Sequence, residues 1–492
     1  MTPRSGLYAR VSRSCGNCRA VKRRCDQQRP HCGQCTRMRE DCPGYRDEWD
    51  LIFRNQTGHT IKRLKEKRAN KEKTILAKDY NSGLKPPPSL NPSHEELGVN
   101  YFLHNFVTSC QSPSSGYLNY IPAPYTADGH HPTLVASMAA VGLVTLANTT
   151  RQPVLAKHAR VKYSEAINQV NIALASPAES IKDSTLMSVI SLGLFEHVSD
   201  FASWARHVRG AAALVVARGK GQFSTRAAIL MFNQVRADMV AACIQGDQPF
   251  PKDMAELQEE ASKHVDTTTV FWRLGVVATQ CTNLLWDVRN RGESYWPGLL
   301  EQATVLQAEL QHIFGTLSMK CPYTTFRKSG GDPAVFYKDR FDLYPNSWAI
   351  RVWNNTRILQ TTVCGCMSYL LNQILATDLE PAVQRHMELQ LLDTLEILSK
   401  LGNDTIATVP QALGVVYSPS EMSHAIDVSC HTNGSAGYML TWCLYAAGNS
   451  SVVDSEARKW IIQRLQDFGH FAGITLALQL VEDLIRRDQL VN

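Results

Sequence analysis

Six cysteines fall within 28 residues near the N-terminus: Cys15, Cys18, Cys25, Cys32, Cys35 and Cys42. Their pattern, C-x2-C-x6-C-x6-C-x2-C-x6-C, is two copies of C-x2-C-x6-C separated by six residues. The surrounding residues 14–46 offer only Val21, Met38 and Tyr45 as large apolar side chains, so this segment has no core of its own and needs a staple. The N-terminal stretch is basic and lacks an apolar h-region, which argues against export and for a reducing compartment. Disulfides are disfavoured there, and metal is the staple left. Zinc takes four ligands in tetrahedral array. One zinc would leave two cysteines idle; two zincs need eight ligand positions, which six thiolates supply only if two of them bridge. The duplicated spacing makes Cys15 and Cys32 the natural bridges. Each metal would have a closed shell, hence a structural role rather than a catalytic one.

The other eight cysteines, Cys110, Cys243, Cys281, Cys321, Cys364, Cys366, Cys430 and Cys443, are scattered through apolar surroundings, as expected of buried inert thiols. Charge divides in the same place. Residues 1–78 carry 20 Lys+Arg against 8 Asp+Glu, a net +12, whereas the remainder of the 492-residue chain is −6. A basic end joined to a mildly acidic body points to a polyanionic partner. Four basic residues, Arg19, Lys22, Arg23 and Arg24, crowd the short span between the second and third cysteines. They are the candidate DNA-binding residues, phosphate contacts supplying affinity and base-edge contacts supplying sequence information. Two zinc ions with six thiolates add −2, so the formal +8 of residues 1–46 becomes +6.

The run from Cys15 to Tyr45, CGNCRAVKRRCDQQRPHCGQCTRMREDCPGY, closely resembles the fungal binuclear zinc-cluster (Zn(2)-C6 type) transcription factors. The cysteine spacing, the basic block, Asp26, Pro30 and the sequence Cys42-Pro43-Gly44-Tyr45 carry the resemblance, which covers about 31 residues. It implies that Lys22, four residues after the second cysteine, approaches guanines of a CGG-type triplet, and that Arg19 and Arg24 hold phosphates. Lysine suits the guanine O6 and N7 acceptors. Val21 departs from a position that is often basic. A second motif, Trp204-Ala205-Arg206-His207-Val208-Arg209-Gly210-Ala211 with Leu214, Arg218 and Gly219, resembles part of the regulatory domain that accompanies these clusters. There His207 reads as a hydrogen-bonded structural residue, Gly210 and Ala211 as close helix contacts, and Gly219 as a left-handed helix end.

The expected organisation is a zinc-cluster domain over 1–46, a basic segment and Pro-rich linker over 47–93, and an all-helical regulatory domain over 94–492. The fold expected is thus a small zinc-stapled cluster of two short helices and loops plus a large all-α body, with bundle or solenoid-like packing. Apolar spacing supports helices around Tyr163 to Leu174, Trp204 to Val215, Met387 to Leu401, and a terminal helix or pair from Trp460 to Leu490. Leu134 to Ala147 is apolar but too short to span a bilayer, so a buried core helix is expected and no membrane partner. Heptads from Ile61 place apolar residues at only three of six a/d positions, so no dimerisation coil is assigned. Residues 45–54 resemble a segment common after the cluster in one filamentous-fungal branch of the family. Lys62 to Arg68 reads as a nuclear-import signal or a solvated helix face. No G-x-x-x-x-G-K-[ST], H-E-x-x-H or G-x-S-x-G pattern occurs, so no enzyme is expected.

The resemblance implies a nuclear, RNA polymerase II-type regulator of metabolic or secondary-metabolite genes. Its partners would be double-stranded DNA with CGG-type sites, transcription machinery or co-regulators, and a possible homodimer. The alternative is a metabolite-sensing or enzymatic helical body carrying a zinc-cluster DNA anchor.

Overall fold

The computed structural model describes residues 14–28, 31–44, 92–109, 116–121, 131–199, 203–416, 434–471 and 474–491. The chain divides into two units, Met1–Ser89 and Leu90–Asn492. The basic segment and linker, including the heptads and the Lys62 to Arg68 run, lie outside the described residues.

Among its described residues the first unit has two short helices, α1 (Gly16–Ala20) and α2 (Gly33–Arg37), each beginning just after a cysteine. The sequence repeat is a structural repeat at an offset of 17 residues. Arg23 N–H bonds Cys18 O and Glu40 N–H bonds Cys35 O; Lys22 and Arg39 both turn left-handed, at φ 53° and 54°. Equivalent tight approaches lock each helix start, Asp26 over Gly33 and Pro43 over Gly16. Asp26 Oδ1 also accepts the Gly33 N–H at 3.0 Å. Val21 and Met38, equivalent in the repeat, are both exposed, at 63% and 61%. Among the described residues its interior is made of cysteine: Cys15, Cys18, Cys32 and Cys35 are fully buried, with Cys25 and Cys42 packed against them.

The second unit is built of long antiparallel-linked helices: α3 (His94–Phe106), α4 (Pro132–Thr150), α5 (Pro153–Leu174), α6 (Asp183–Ser199), α7 (Trp204–Arg218), α8 (Arg226–Gly246), α9 (Lys252–Ser262) and α10 (Val270–Asn290). Then come α11 (Trp296–Lys320), α12 (Ser347–Leu375), α13 (Pro381–Ile406), α14 (Gly434–Gly448), α15 (Ser455–Phe471) and α16 (Thr475–Val491). Local chemistry sets their starts. Ser93 and Glu96 form a reciprocal capping box at α3, and Pro occupies the first turn of α4, α5 and α13. Thr225, Thr269 and Asn346 accept N–H bonds at the starts of α8, α10 and α12.

Two small antiparallel pairs depart from an all-helical body: β1 (Thr108–Ser109) with β2 (Gly116–Tyr117), and β3 (Thr324–Arg327) with β4 (Arg340–Leu343). The second pair is anchored by Thr325, whose hydroxyl donates to the buried Asp342 at 2.7 Å.

Among the described residues of the body, three hydrophobic cores follow one another. The first runs from Val99 to Trp272, the second from Val270 to Leu371, and the third joins Tyr337 and Ile406 to the C-terminal helices. Successive helices pack as neighbours, but the chain also returns. Helices α14, α15 and α16 pack against α3, α4 and α6, closing the body where an open solenoid would leave its ends apart. Helix α4 is buried over most of its length, as its apolar sequence requires, and α8 likewise. Ile172 and Leu174 are exposed, whereas Ala166, Val170 and Ala173 face the core.

The close helix contact expected at Gly210 lies elsewhere. Gly210 is exposed, with nothing within 4 Å of an added Cβ. The intimate crossing is α3 on α4, where a Cβ on Gly142 would stand 1.8 Å from Gly98 O. Gly219 ends α7 at φ 68° and ψ −170°, a positive φ that favours glycine, although its ψ is not that of a left-handed helical residue.

Candidate metal centre and nucleic-acid interface

The fold brings all six predicted ligands together. Cys15 and Cys32 Sγ are 3.5 Å apart, Cys15 and Cys35 3.7 Å, and Cys18 and Cys32 3.7 Å. Two sulfurs on one tetrahedral zinc, each about 2.3 Å from the metal, stand about 3.8 Å apart. The donor set therefore fits zinc in both identity and spacing. Cys25 Sγ accepts the Cys15 N–H and Cys42 Sγ the Cys32 N–H, each at 3.5 Å, which places both thiols against the buried four. One zinc would be held by Cys15, Cys18, Cys25 and Cys32, the other by Cys15, Cys32, Cys35 and Cys42. Cys15 and Cys32 would be shared by both sets, the two bridges that the ligand count requires and the duplicated spacing names.

The thiols are not equivalent before metal enters. Burial pushes Cys15 well above the ordinary thiol range, and its neighbours Cys18, Cys32 and Cys35 add to this. Cys42 is drawn down to about 6 by the backbone N–H groups of Cys32 and Gly44. Six thiolates in so small a volume repel one another, and two divalent cations remove that repulsion. The chain thus carries a site for two structural zinc ions.

The four basic residues split. Lys22 and Arg24 are exposed on the turn leaving α1, pinned between Cys18 and Cys25. Arg19 is half-buried, with its guanidinium 3.5 Å from Ser14 O. Arg23 turns inward: Nε donates to Cys18 Sγ at 3.3 Å, Nη2 to Cys35 Sγ at 3.6 Å, and Nη1 to Glu40 Oε1 at 3.2 Å. Nη2 also contacts Glu40 Oε2. The hydrogen-bonded Arg23 guanidinium holds the Glu40 carboxyl below its usual range. The resemblance gives Lys22, Arg19 and Arg24 separate roles and Arg23 none of its own; the 17-residue offset, which pairs position 23 with position 40, is the signal that marks it.

In the body, His207 Nε2 lies 2.9 Å from the Tyr163 hydroxyl, which donates to Glu196 Oε1 at 2.6 Å. This half-buried link ties α5, α6 and α7 together, a structural role for the histidine of the second motif. Beside it, His197 is fully buried edge-on to Trp204 at 5.0 Å, and burial pushes its imidazole down to about 3. His197, Trp204 and His207 line a small cavity together with Asp238, which is bonded by Gln234 at 2.9 Å and whose carboxyl burial pushes up to about 6. Cys364 and Cys366 are buried in α12, their thiols pushed up to about 12 by burial, as inert packing residues would be.

Residues 13–50 match the fungal Zn(2)-Cys(6) binuclear cluster domain, and residues 88–271 match the fungal specific transcription factor domain. The second match ends within α10, where the first hydrophobic core gives way to the second. No curated protein and no solved structure matches the chain. Together the two domain matches mark a fungal DNA-binding transcription factor. The chain thus carries a fungal Zn(2)-Cys(6) binuclear cluster domain over residues 13–50 and a fungal specific transcription factor domain over residues 88–271.

Proposed function

We propose that the zinc module reads CGG-type triplets in duplex DNA, with Lys22 contacting base edges and Arg19 and Arg24 contacting phosphates. The observation that carries this reading is the exposure of Lys22 and Arg24 on a turn held at both ends by zinc ligands. A cation on a rigid mount loses little freedom on binding, and lysine matches the guanine acceptors of the major groove. The protein acts in the nucleus on RNA polymerase II genes of metabolic or secondary-metabolite biosynthesis. It is not an enzyme; its helical body regulates or recruits, engaging co-regulators or a second copy of the chain.

Fluorescence anisotropy on full-length protein tests the roles. Lys22→Ala is expected to cost about 1–3 kcal/mol on a CGG duplex and little on a scrambled one. Arg24→Ala is expected to weaken both alike and to lower the salt slope by about 1. Equal losses on both duplexes for both variants would overturn the assignment.

A further inference from the structure

We propose that Arg23 is a cross-brace of the zinc module, joining one ligand of each zinc to Glu40, rather than a contact to DNA. Cys18 belongs to the ligand set of one metal and Cys35 to that of the other, and the guanidinium reaches both sulfurs at 3.3 and 3.6 Å. Its remaining edge is paired with Glu40 through both terminal nitrogens. A guanidinium has five N–H donors, and four are engaged in these contacts, so little is left for a phosphate. The Arg23 side chain is 22% exposed, whereas Lys22 and Arg24 on either side stand in solvent.

The physical need is charge and geometry together. Two zinc ions with six thiolates carry a net −2 in a shell without an apolar interior. A cation donating to one thiolate of each metal lowers that charge where it is densest and fixes both sulfurs, the service that outer-sphere hydrogen bonds perform at metal sites. Glu40 holds the fork in place. Position 40 is position 23 advanced by the 17-residue repeat, and each backbone N–H bonds the carbonyl five residues earlier. The two residues therefore face each other across the repeat's own axis. An arginine at 40 would stand toward Cys35 as Arg23 stands toward Cys18. The brace rests on the zinc cluster; only the absence of a phosphate contact rests on the DNA reading.

The test is zinc release from the full-length protein into a chelating indicator, with DNA affinity measured against salt on the same samples. Arg23→Ala and Glu40→Ala are each expected to speed release about tenfold or more, with the double variant no worse than the worse single. The exchange variant R23E/E40R should recover most of the wild-type rate, and Arg23→Lys should fall between. The salt slope of Arg23→Ala should equal the wild type's, while Arg24→Ala loses about 1. Wild-type release in Arg23→Ala with a slope lowered by about 1 would overturn the brace and make Arg23 a phosphate contact. Additive losses without recovery in the exchange variant would also overturn it. Should the wild type bind no duplex, the DNA reading fails and zinc release alone decides the brace: acceleration upholds it, an unchanged rate refutes it.

Discussion

Gly142→Ala is a one-methyl change whose sign is decided by the α3–α4 crossing. In an unpartnered helix interior, alanine is favoured over glycine by about 1 kcal/mol. Here the added Cβ would stand 1.8 Å from Gly98 O, 2.7 Å from Gly98 C and 3.0 Å from Phe102 N. An ordinary carbon–oxygen contact is about 3.3 Å or more, so the helices must part by about 1.5 Å. Both sides of the clash are backbone, and no rotamer change relieves it. Parting the helices opens the interface of Phe102, Ala139 and Leu143, all fully buried, and a gap of about 1 Å forfeits up to half of each contact's attraction. Overpacking of this kind costs about 3 kcal/mol at the upper end of its range. Less about 1 kcal/mol of helix propensity, the expected net destabilisation is about 2 kcal/mol. Gly210→Ala is the matched control: the same change inside a helix, at an exposed site with nothing within 4 Å, expected to stabilise by about 0.5–1 kcal/mol. Urea unfolding of the full-length variants, followed by tryptophan fluorescence, reads both. A Gly142→Ala protein as stable as wild type, or a shift of the same sign in both variants, would refute the packing argument.

Two further outcomes follow from the sites. Removing zinc with a chelator, or one ligand with Cys25→Ala, should abolish duplex binding while far-UV circular dichroism barely changes, because the module's helices are only five residues each and the body has its own cores. Loss of most helical signal, or retained binding, would contradict that division. His197 sets a pH dependence: its folded pKa, about 3, lies below the unfolded value near 6.5, so the unfolded chain takes up a proton that the folded one refuses. Stability is full above pH 6.5 and falls as pH drops toward 3, by about 2 kcal/mol at pH 5. Asp238, part-buried and raised to about 6, acts in the opposite sense: its folded carboxyl binds the proton first, so acidification from 6 toward 3.8 adds stability and offsets part of the loss. His197→Gln should therefore flatten or reverse the fall in Tm between pH 6.5 and 5; an unchanged acid slope would clear His197 of the effect.

Much of the metal centre is legible in one dimension. Six thiols, a repeated spacing and too few apolar residues admit few solutions: ligand arithmetic requires two bridging thiolates, and the duplicated spacing points to Cys15 and Cys32 as that pair. The roles of the basic residues are less legible. Arg19, Lys22, Arg23 and Arg24 are alike as letters, and only the closing of the two halves over the sulfurs turns Arg23 inward toward Glu40 while its neighbours stay in solvent. In the body, periodicity marks helices such as α5, α7 and α13, and the pair α15–α16, because each buries one stripe. Apolar type alone does not mark the buried stripe: Ile172 and Leu174 fall off the face shared by Ala166, Val170 and Ala173.

The sequence by itself determined the zinc module, its ligands, the basic asymmetry of the chain and the helical character of the body, since all of these depend on residue type and short-range spacing. Tertiary structure alone decided which glycines are needed, which arginine is consumed internally, and that the last helices return onto α3, α4 and α6. Those outcomes depend on which surfaces meet, over 17 residues for Arg23 and Glu40, 44 for Gly98 and Gly142, and hundreds for the returning helices. No local period records that, because the free energy of such contacts belongs to the pair and not to either segment.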